Sequence, residues 1–310
     1  MNILVVRTDK LGDFITALPA VSVLKNYDKN NKIIVCIAPL NKALAEACEF
    51  IDEVIVDKGQ SVFELSKQFK DANIDASITL FSNTRVAFAQ FLAKIPKSIA
   101  PATKIAQIFY TNRVKQRRSE VKMAEFEYNL ELTKELFHDI DLSYKKPLLE
   151  FNSIFHLYKN YICFHVGFGG SSDANWTLDE YEILIREVLK NEENRVILSF
   201  GPDEENLLED MKKRFNNDEV VLYLSSDGLV DFAKLISYFK VFISTSTGTY
   251  HLASLVGTPT ITFFADSLFA SAKRWKSVGD EKLQKHFMIP SDADKRKKMF
   301  EDVKKELRTI

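Results

Sequence analysis

The residues of this chain best suited to chemistry fall in two strand-to-helix turns, one near the start and one near residue 247. The first lies in Arg7-Thr-Asp-Lys-Leu-Gly-Asp-Phe-Ile-Thr-Ala-Leu-Pro-Ala-Val-Ser-Val-Leu-Lys25, after an apolar strand-like run that ends at Val6. A polar loop with Gly12 follows, then an apolar-faced segment through Ile15, Leu18, Val21 and Leu24. Ligands of open α/β sheets collect outside the carboxyl ends of strands, where this loop falls. Gly12 permits a tight backbone path, and Asp13 then stands at or just before a helix start, where a plain N-cap is the competing reading. Pro19 sits early in that helix or kinks it. A lone glycine is not a phosphate cradle, so neither the GxGxxG nor the P-loop pattern is met.

The second turn lies in Val241-Phe-Ile-Ser-Thr-Ser-Thr-Gly-Thr-Tyr-His-Leu-Ala-Ser-Leu-Val-Gly-Thr-Pro259, which reads as strand, polar turn, helix and stop. Gly257 suits a helix C′ position, and Pro259 forbids continuation. Ser246, Thr247, Gly248 and Thr249 place hydroxyls and backbone N–H groups at the helix start, an anion site suited to a nucleotide diphosphate. A hydroxyl-rich cap that holds nothing is the alternative, and His251 reads either as ligand-binding or as a packed helix histidine.

Other stretches add weaker signals. Gly169, Gly170, Ser171 and Ser172 lie in a glycine-rich loop between an apolar strand and Trp176, after which Thr177 and Glu180 form a capping box. Glu204 follows Phe200-Gly-Pro-Asp and reads as a ligand-facing acid or as an acid favoured at a helix N-terminus. Arg113, Lys115, Arg117 and Arg118 put four cations in six residues, either an anion-binding face or a solvated helix face.

The elements that must position these residues alternate. Strand candidates are 3–6, 32–37, 53–56 and 75–80, then 161–166, 195–200, 219–224, 241–245 and 260–264. Helical patterns fit near 15–25, 41–49, 62–71, 85–94, 178–190, 204–215, 230–239 and 248–256. Strands separated by helices of this length predict βαβ units and parallel sheets. The alternation pauses between about 110 and 155 in a charged, mainly helical stretch. Two domains follow, 1–155 and 156–310, a division that 310 residues suit. The last segment, with Met299, Phe300, Val303, Leu307 and Ile310 at helical spacing, is expected to pack back across the first domain.

Composition narrows the partners. With 42 basic and 43 acidic side chains, no global field favours nucleic acid, and an anionic partner must meet a local patch. Cys36, Cys48 and Cys163 are far apart and odd in number, as expected of buried thiols in a reducing compartment. No His/Cys cluster has zinc spacing, so no metal and no resident cofactor are expected. No run approaches the ~18 apolar residues that span a bilayer, and the opening residues lack a secretory signal pattern. The expected location is cytoplasmic, peripheral at most.

Arg7, Gly12-Asp13, Leu18-Pro19 and Leu24-Lys25 resemble the opening motif of the lipopolysaccharide heptosyltransferase family, glycosyltransferase family 9. The second turn resembles that family's donor motif, with Thr247, Gly248, His251, Leu252, Ala253, Gly257 and Pro259 in register. The resemblance runs in order from residue 2 to about 264. It implies a GT-B fold, two Rossmann-like doubly wound domains facing a central cleft whose closure excludes water. It also implies an inverting, metal-independent transfer of heptose from a nucleotide sugar, ADP-heptose, to a lipid-linked anionic core oligosaccharide. Asp13 would be the general base. Gly169, Gly170, Ser171, Ser172, Glu204, Ser246, Thr247, Gly248, Thr249 and His251 would bind the donor. Lys10, Gly12, Arg113, Lys115, Arg117 and Arg118 would meet the acceptor. With Lys295-Arg-Lys-Lys298, a basic face would hold a monomer against the inner membrane. Ser246 stands where the family has an aspartate that contacts the donor sugar, and Ala174 where it has a phosphate-neutralising lysine. These departures bear on sugar identity and leave three alternatives: a transferase of another nucleotide sugar, an epimerase of similar fold, and a non-catalytic binder.

Overall fold

A computed structural model describes residues 1–151, 157–167, 175–215 and 219–310. It divides into two compact units, Met1–Leu148 and Leu149–Ile310. The first contains β1 (Asn2–Arg7), α1 (Leu11–Tyr27), β2 (Lys32–Ile37), α2 (Lys42–Glu46), β3 (Glu53–Val56) and α3 (Val62–Asp71). It continues through β4 (Ala76–Thr79), α4 (Thr84–Ala93), β5 (Lys97–Pro101), β6 (Asn112–Val114) and α5 (Glu125–Thr133). The second contains β7 (Ile162–His165), α6 (Leu178–Leu189), β8 (Val196–Phe200), α7 (Glu205–Arg214), β9 (Val221–Leu224) and α8 (Leu229–Ile236). It ends with β10 (Val241–Thr245), α9 (Gly248–Leu255), β11 (Thr260–Ala265), α10 (Ala272–Trp275), β12 (Gln284–Ile289) and α11 (Ala293–Leu307).

Each unit has one six-stranded sheet, β3-β2-β1-β4-β5-β6 in the first and β12-β11-β10-β7-β8-β9 in the second. Every pairing is parallel. Renumbered from its own first strand, the second sheet has the same order as the first, the dinucleotide-fold order whose direction reverses between its first and fourth strands. That reversal lies between β1 and β4 in one unit and between β7 and β10 in the other. Central strands covered on both faces by helices must be apolar throughout. The Ile3–Val6 and Ile162–Phe164 runs are accordingly buried.

Local chemistry sets the helix starts. Thr177 and Glu180 form the capping box that the sequence predicts, and a second one joins Ser61, which accepts from the Glu64 N–H, to Glu64, which reaches back to Ser61. Gly257, at φ 80°, follows α9 and ends it as expected. All three cysteines are buried and free, and burial pushes the Cys48 and Cys163 thiols up to about 12.

Three strands escape the sequence reading: β5, β6 and β12. The last two are edge strands, and β6 is a three-residue strand inside the cationic run, so polar residues there can face solvent. That run is therefore an edge strand and a turn, not a helix face. The final helix also corrects an expectation. Val303 and Leu307 enter the core of the second unit, with Met299 and Phe300 packed against it, and α11 lies on α6 of its own unit.

Candidate active site

The first turn is organised by an arginine. Arg7 ends β1, and its side chain is 3% exposed. Its Nε donates to Asp9 Oδ1 at 2.8 Å, its Nη2 to Asp13 Oδ1, and its Nη1 approaches Glu125 Oε1 at 3.5 Å. Glu125 opens α5 and also pairs with Arg118. Arg118 Nη1 reaches Asn129 Oδ1 at 3.2 Å, Asn129 Nδ2 donates to the Thr16 carbonyl at 3.0 Å, and Thr16 Oγ1 donates to the Asp13 carbonyl at 2.7 Å. A closed ring of polar contacts thus fastens the start of α1 to α5 and to the end of β1.

Asp13 is the third residue of α1. Lys10 occupies the N-cap position without a side-chain bond, so the N-cap reading of Asp13 is not met. Arg7 holds only Oδ1 of Asp13. Among the described residues Oδ2 has no hydrogen-bond partner, and the side chain is 21% exposed. A fully charged guanidinium on one oxygen orients the carboxylate and leaves the other to accept a proton. Burial pushes the neighbouring Asp9 up to about 6, with Asp13 adding to the rise and Arg7 opposing it. Burial also works against the Arg7 charge, but the carboxylates of Asp9, Asp13 and Glu125 outweigh it and hold its pKa above the usual value. Lys10 is exposed and Gly12 half-buried beside this turn.

The second turn carries no charge. The Ser246 N–H is spent on the Phe263 carbonyl at 2.9 Å. Thr247 precedes α9, its Oγ1 2.8 Å from Thr249 Oγ1, and no side chain caps the helix. The N–H groups of Gly248, Thr249 and Tyr250 consequently have no acceptor among the described residues. Uncapped amides at a positive helix end suit an anion. His251 lies beneath them, 4% exposed, its Nδ1 3.0 Å from Ser277 Oγ. Burial, with the charge of His286 acting in the same direction, pushes it down to about 3. A neutral, packed histidine steadies this helix but offers no cation to a diphosphate.

A segment that sequence reading missed fastens α9 from outside. The Ser277 N–H donates to Tyr250 Oη at 2.9 Å, and the Gly279 N–H to Ser254 Oγ at 2.9 Å. A Cβ on Gly279 would come 2.5 Å from the Ser254 carbonyl oxygen, so glycine is needed there. Nothing in the 277–279 run announces this role, because its partners lie about 25 residues upstream.

Glu204 sits at the carboxyl ends of β7 and β8. Its Oε2 accepts from the Gly201 N–H at 2.7 Å, and a Cβ on Gly167 would meet Oε1 at 2.0 Å. The acid is thus folded over the loop backbone in front of α7. Gly169, Gly170, Ser171, Ser172 and Ala174 lie outside the described residues.

The cationic run divides. Arg113 and Lys115 are exposed, and Arg117 is exposed but paired with Glu120 at 3.1 Å. Arg118 turns inward to Glu125 and is no surface cation. Arg296 also turns inward, to Glu180 at 2.7 Å and over the Trp176 ring at 4.5 Å, which removes it from the basic face expected at 295–298. Sequence reading noted Arg7 but gave it no role, and it passed over Asp9 and Glu125. The alternation of charges at 7, 9, 10 and 13 was the available signal for the first two.

Two doubly wound units of identical strand order, with candidate ligand sites at the strand ends, define an α/β protein of the GT-B class. The chain belongs to glycosyltransferase family 9 (heptosyltransferase), which it matches over residues 62–302, and it is an enzyme of glycosyl transfer. A Haemophilus influenzae protein designated a glycosyltransferase is 34% identical over 319 residues, spanning 96% of this chain and 91% of its own length. Two solved structures share the fold. ADP-heptose lipopolysaccharide heptosyltransferase II of E. coli has a TM-score of 0.80 at 15% identity, covering 99% of both chains. E. coli heptosyltransferase WaaC with ADP has a TM-score of 0.76 at 19% identity, covering 98% of this chain and 100% of that one. The family match begins after the Asp13 turn and includes the Thr247 turn.

Proposed function

We propose that the enzyme transfers heptose, or a closely related sugar, from a nucleotide diphosphate sugar to an anionic lipopolysaccharide or lipooligosaccharide core, with inversion and without a metal. ADP-heptose is the donor we favour, because structural relatives have been solved with ADP and with ADP-2-deoxy-2-fluoro heptose. The acceptor hydroxyl oxygen attacks the anomeric carbon as the bond to the diphosphate breaks. The hydroxyl proton passes to Asp13, and the departing nucleoside diphosphate carries its charge to the amides of Gly248, Thr249 and Tyr250. The observation that carries this reading is Asp13 itself, a partly exposed carboxylate held through one oxygen by a buried arginine. Ser246, in place of an acid, favours a donor sugar recognised by neutral hydrogen bonds. We read the protein as a monomeric, peripheral enzyme; no helix among the described residues is long and apolar enough to cross a membrane.

Asp13→Asn should lower kcat by roughly 10²–10⁴-fold while the donor binds as before. Unchanged turnover would remove the base. Labelled donor incubated without acceptor should stay intact, whereas its conversion to an isomer would favour an epimerase.

A further inference from the structure

The proposed chemistry makes no use of the apolar face of α4 and of the 3₁₀ turn at Ile105–Phe109. Phe91, Ile105 and Ile108 are 56%, 74% and 61% exposed. Phe91 stacks on Phe88, and both rings meet a tilted Phe109, with centroids 5.1–6.3 Å apart, so α4 and the 3₁₀ turn pack together and present their exposed side chains as one ridge. Scattered exposed hydrophobic residues need no explanation, but a contiguous ridge marks a binding surface.

Charge identifies the occupant. Between Asp75 and Glu120 the sequence has no acidic residue and eight Lys or Arg, in a chain whose overall balance is −1. Three of these are answered locally, Arg85 by Asp57, Arg117 by Glu120 and Arg118 by Glu125. Of the rest, Lys94 ends α4 just beyond Phe91, and Lys104 immediately precedes Ile105; both are exposed. Two copies meeting through this ridge would bring these cations together. A bilayer with anionic headgroups satisfies both features, taking the apolar side chains into its interface and the ammonium groups among its phosphates. The ridge also leads to the site. Lys104 Nζ lies 4.6 Å from the Phe81 ring centroid, and the Arg7 guanidinium lies 5.7 Å from the same centroid. Phe81 thus links the cationic rim to the arginine that holds Asp13.

We infer that Phe91, Ile105 and Ile108, flanked by Lys94 and Lys104, dock the first unit on an anionic lipid bilayer, placing a lipid-borne acceptor beside Asp13. This rests on the proposed acceptor being lipid-linked. The full chain should co-sediment with vesicles of phosphatidylcholine and phosphatidylglycerol, and only weakly with phosphatidylcholine alone. Combining Phe91→Ser, Ile105→Ser and Ile108→Ser should weaken that binding by about tenfold or more, with the melting temperature kept. Lys94→Glu with Lys104→Glu should cost about fivefold per charge on the anionic vesicles and nothing on the neutral ones. Binding of the triple variant equal to the parent would overturn the inference. So would a dimer in solution that the triple variant dissociates, which would make the ridge a self-interface. Transfer to a delipidated, soluble core acceptor separates the two readings. The triple variant should match the parent there, and a parent inactive on that acceptor counts against the proposed function rather than the docking face.

Discussion

The two units share a strand order but treat charge in opposite ways. At the end of β1, one buried arginine is shared by Asp9, Asp13 and Glu125, and Glu125 is shared again with Arg118. At the end of β10 there are hydroxyls, open amides and a histidine kept neutral by burial. One fold therefore supports both sites because the sheet positions only the backbone, while the first turn of the following helix chooses the chemistry. A site that takes a proton needs a carboxylate whose orientation is enforced, and an arginine fork enforces it. A site that receives a diphosphate brings in the negative charge with the ligand, so neutral dipoles suffice.

Removing the arginine is the most damaging way to test the contrast. Arg7→Met strands the carboxylates of Asp9 and Asp13, leaves Glu125 to Arg118 alone, and should destabilise the first unit by about 3–5 kcal/mol, read as a drop in urea midpoint. Arg7→Lys should recover part of the stability and less of the turnover, since an ammonium lacks the fork that orients Asp13. Equal kcat in the lysine variant and the parent would show that orientation does not matter.

The second site should respond more mildly. Thr247→Val removes one hydroxyl and leaves the amides, so nucleoside diphosphate affinity should fall by about tenfold, the scale of one hydrogen bond to a charged group. Calorimetric titration with ADP measures it, and a loss in kcat with unchanged affinity would move Thr247 out of the diphosphate site.

The acid response should also set the units apart. His251 and His286 are held down to about 3 and about 4 by burial, with His251 also opposed by His286. Below pH 6.5 the unfolded chain binds protons that the folded second unit refuses, so its stability declines as pH falls through the window toward those values. Asp9 has the opposite sign. With its folded pKa raised to about 6, the folded state binds the extra proton between roughly 4 and 6, and its contribution to the first unit improves on acidification. Hydrogen exchange of peptides from each unit, followed from about pH 6.5 to 4.5, should show α9 losing protection before α1. His251→Gln should flatten the response of the second unit, and Asp9→Asn that of the first. Parallel loss in both units would refute the assignment.

Much of this was legible in the residues. Strands such as Lys32–Ile37 and Val241–Thr245 were read to their observed ends, because Ile33–Ile37 and Val241–Ile243 give each an apolar core that a strand covered on both faces requires. The capping box at Thr177 and the stop at Gly257 were equally readable, since both are contacts between residues close in the chain. Edge strands β6 and β12 were not, because one open side permits the polar residues that a strand pattern excludes. The docking of α11 on α6 was also missed, since an amphipathic stripe announces that it needs a partner without saying which.

The sequence by itself determined the alternation of strands and helices, the family resemblance and the placement of Asp13 and Thr247 at strand-to-helix turns. These are matters of local pattern and of short motifs. Tertiary structure alone decided that Arg7 holds Asp13, that Glu125 and Arg118 complete the ring, and that Ser277 steadies His251. Glu125 is 118 residues from Arg7, and Ser277 is 26 from His251. Partnerships of that kind exist only once parallel crossovers have brought distant chain segments to the same end of a sheet.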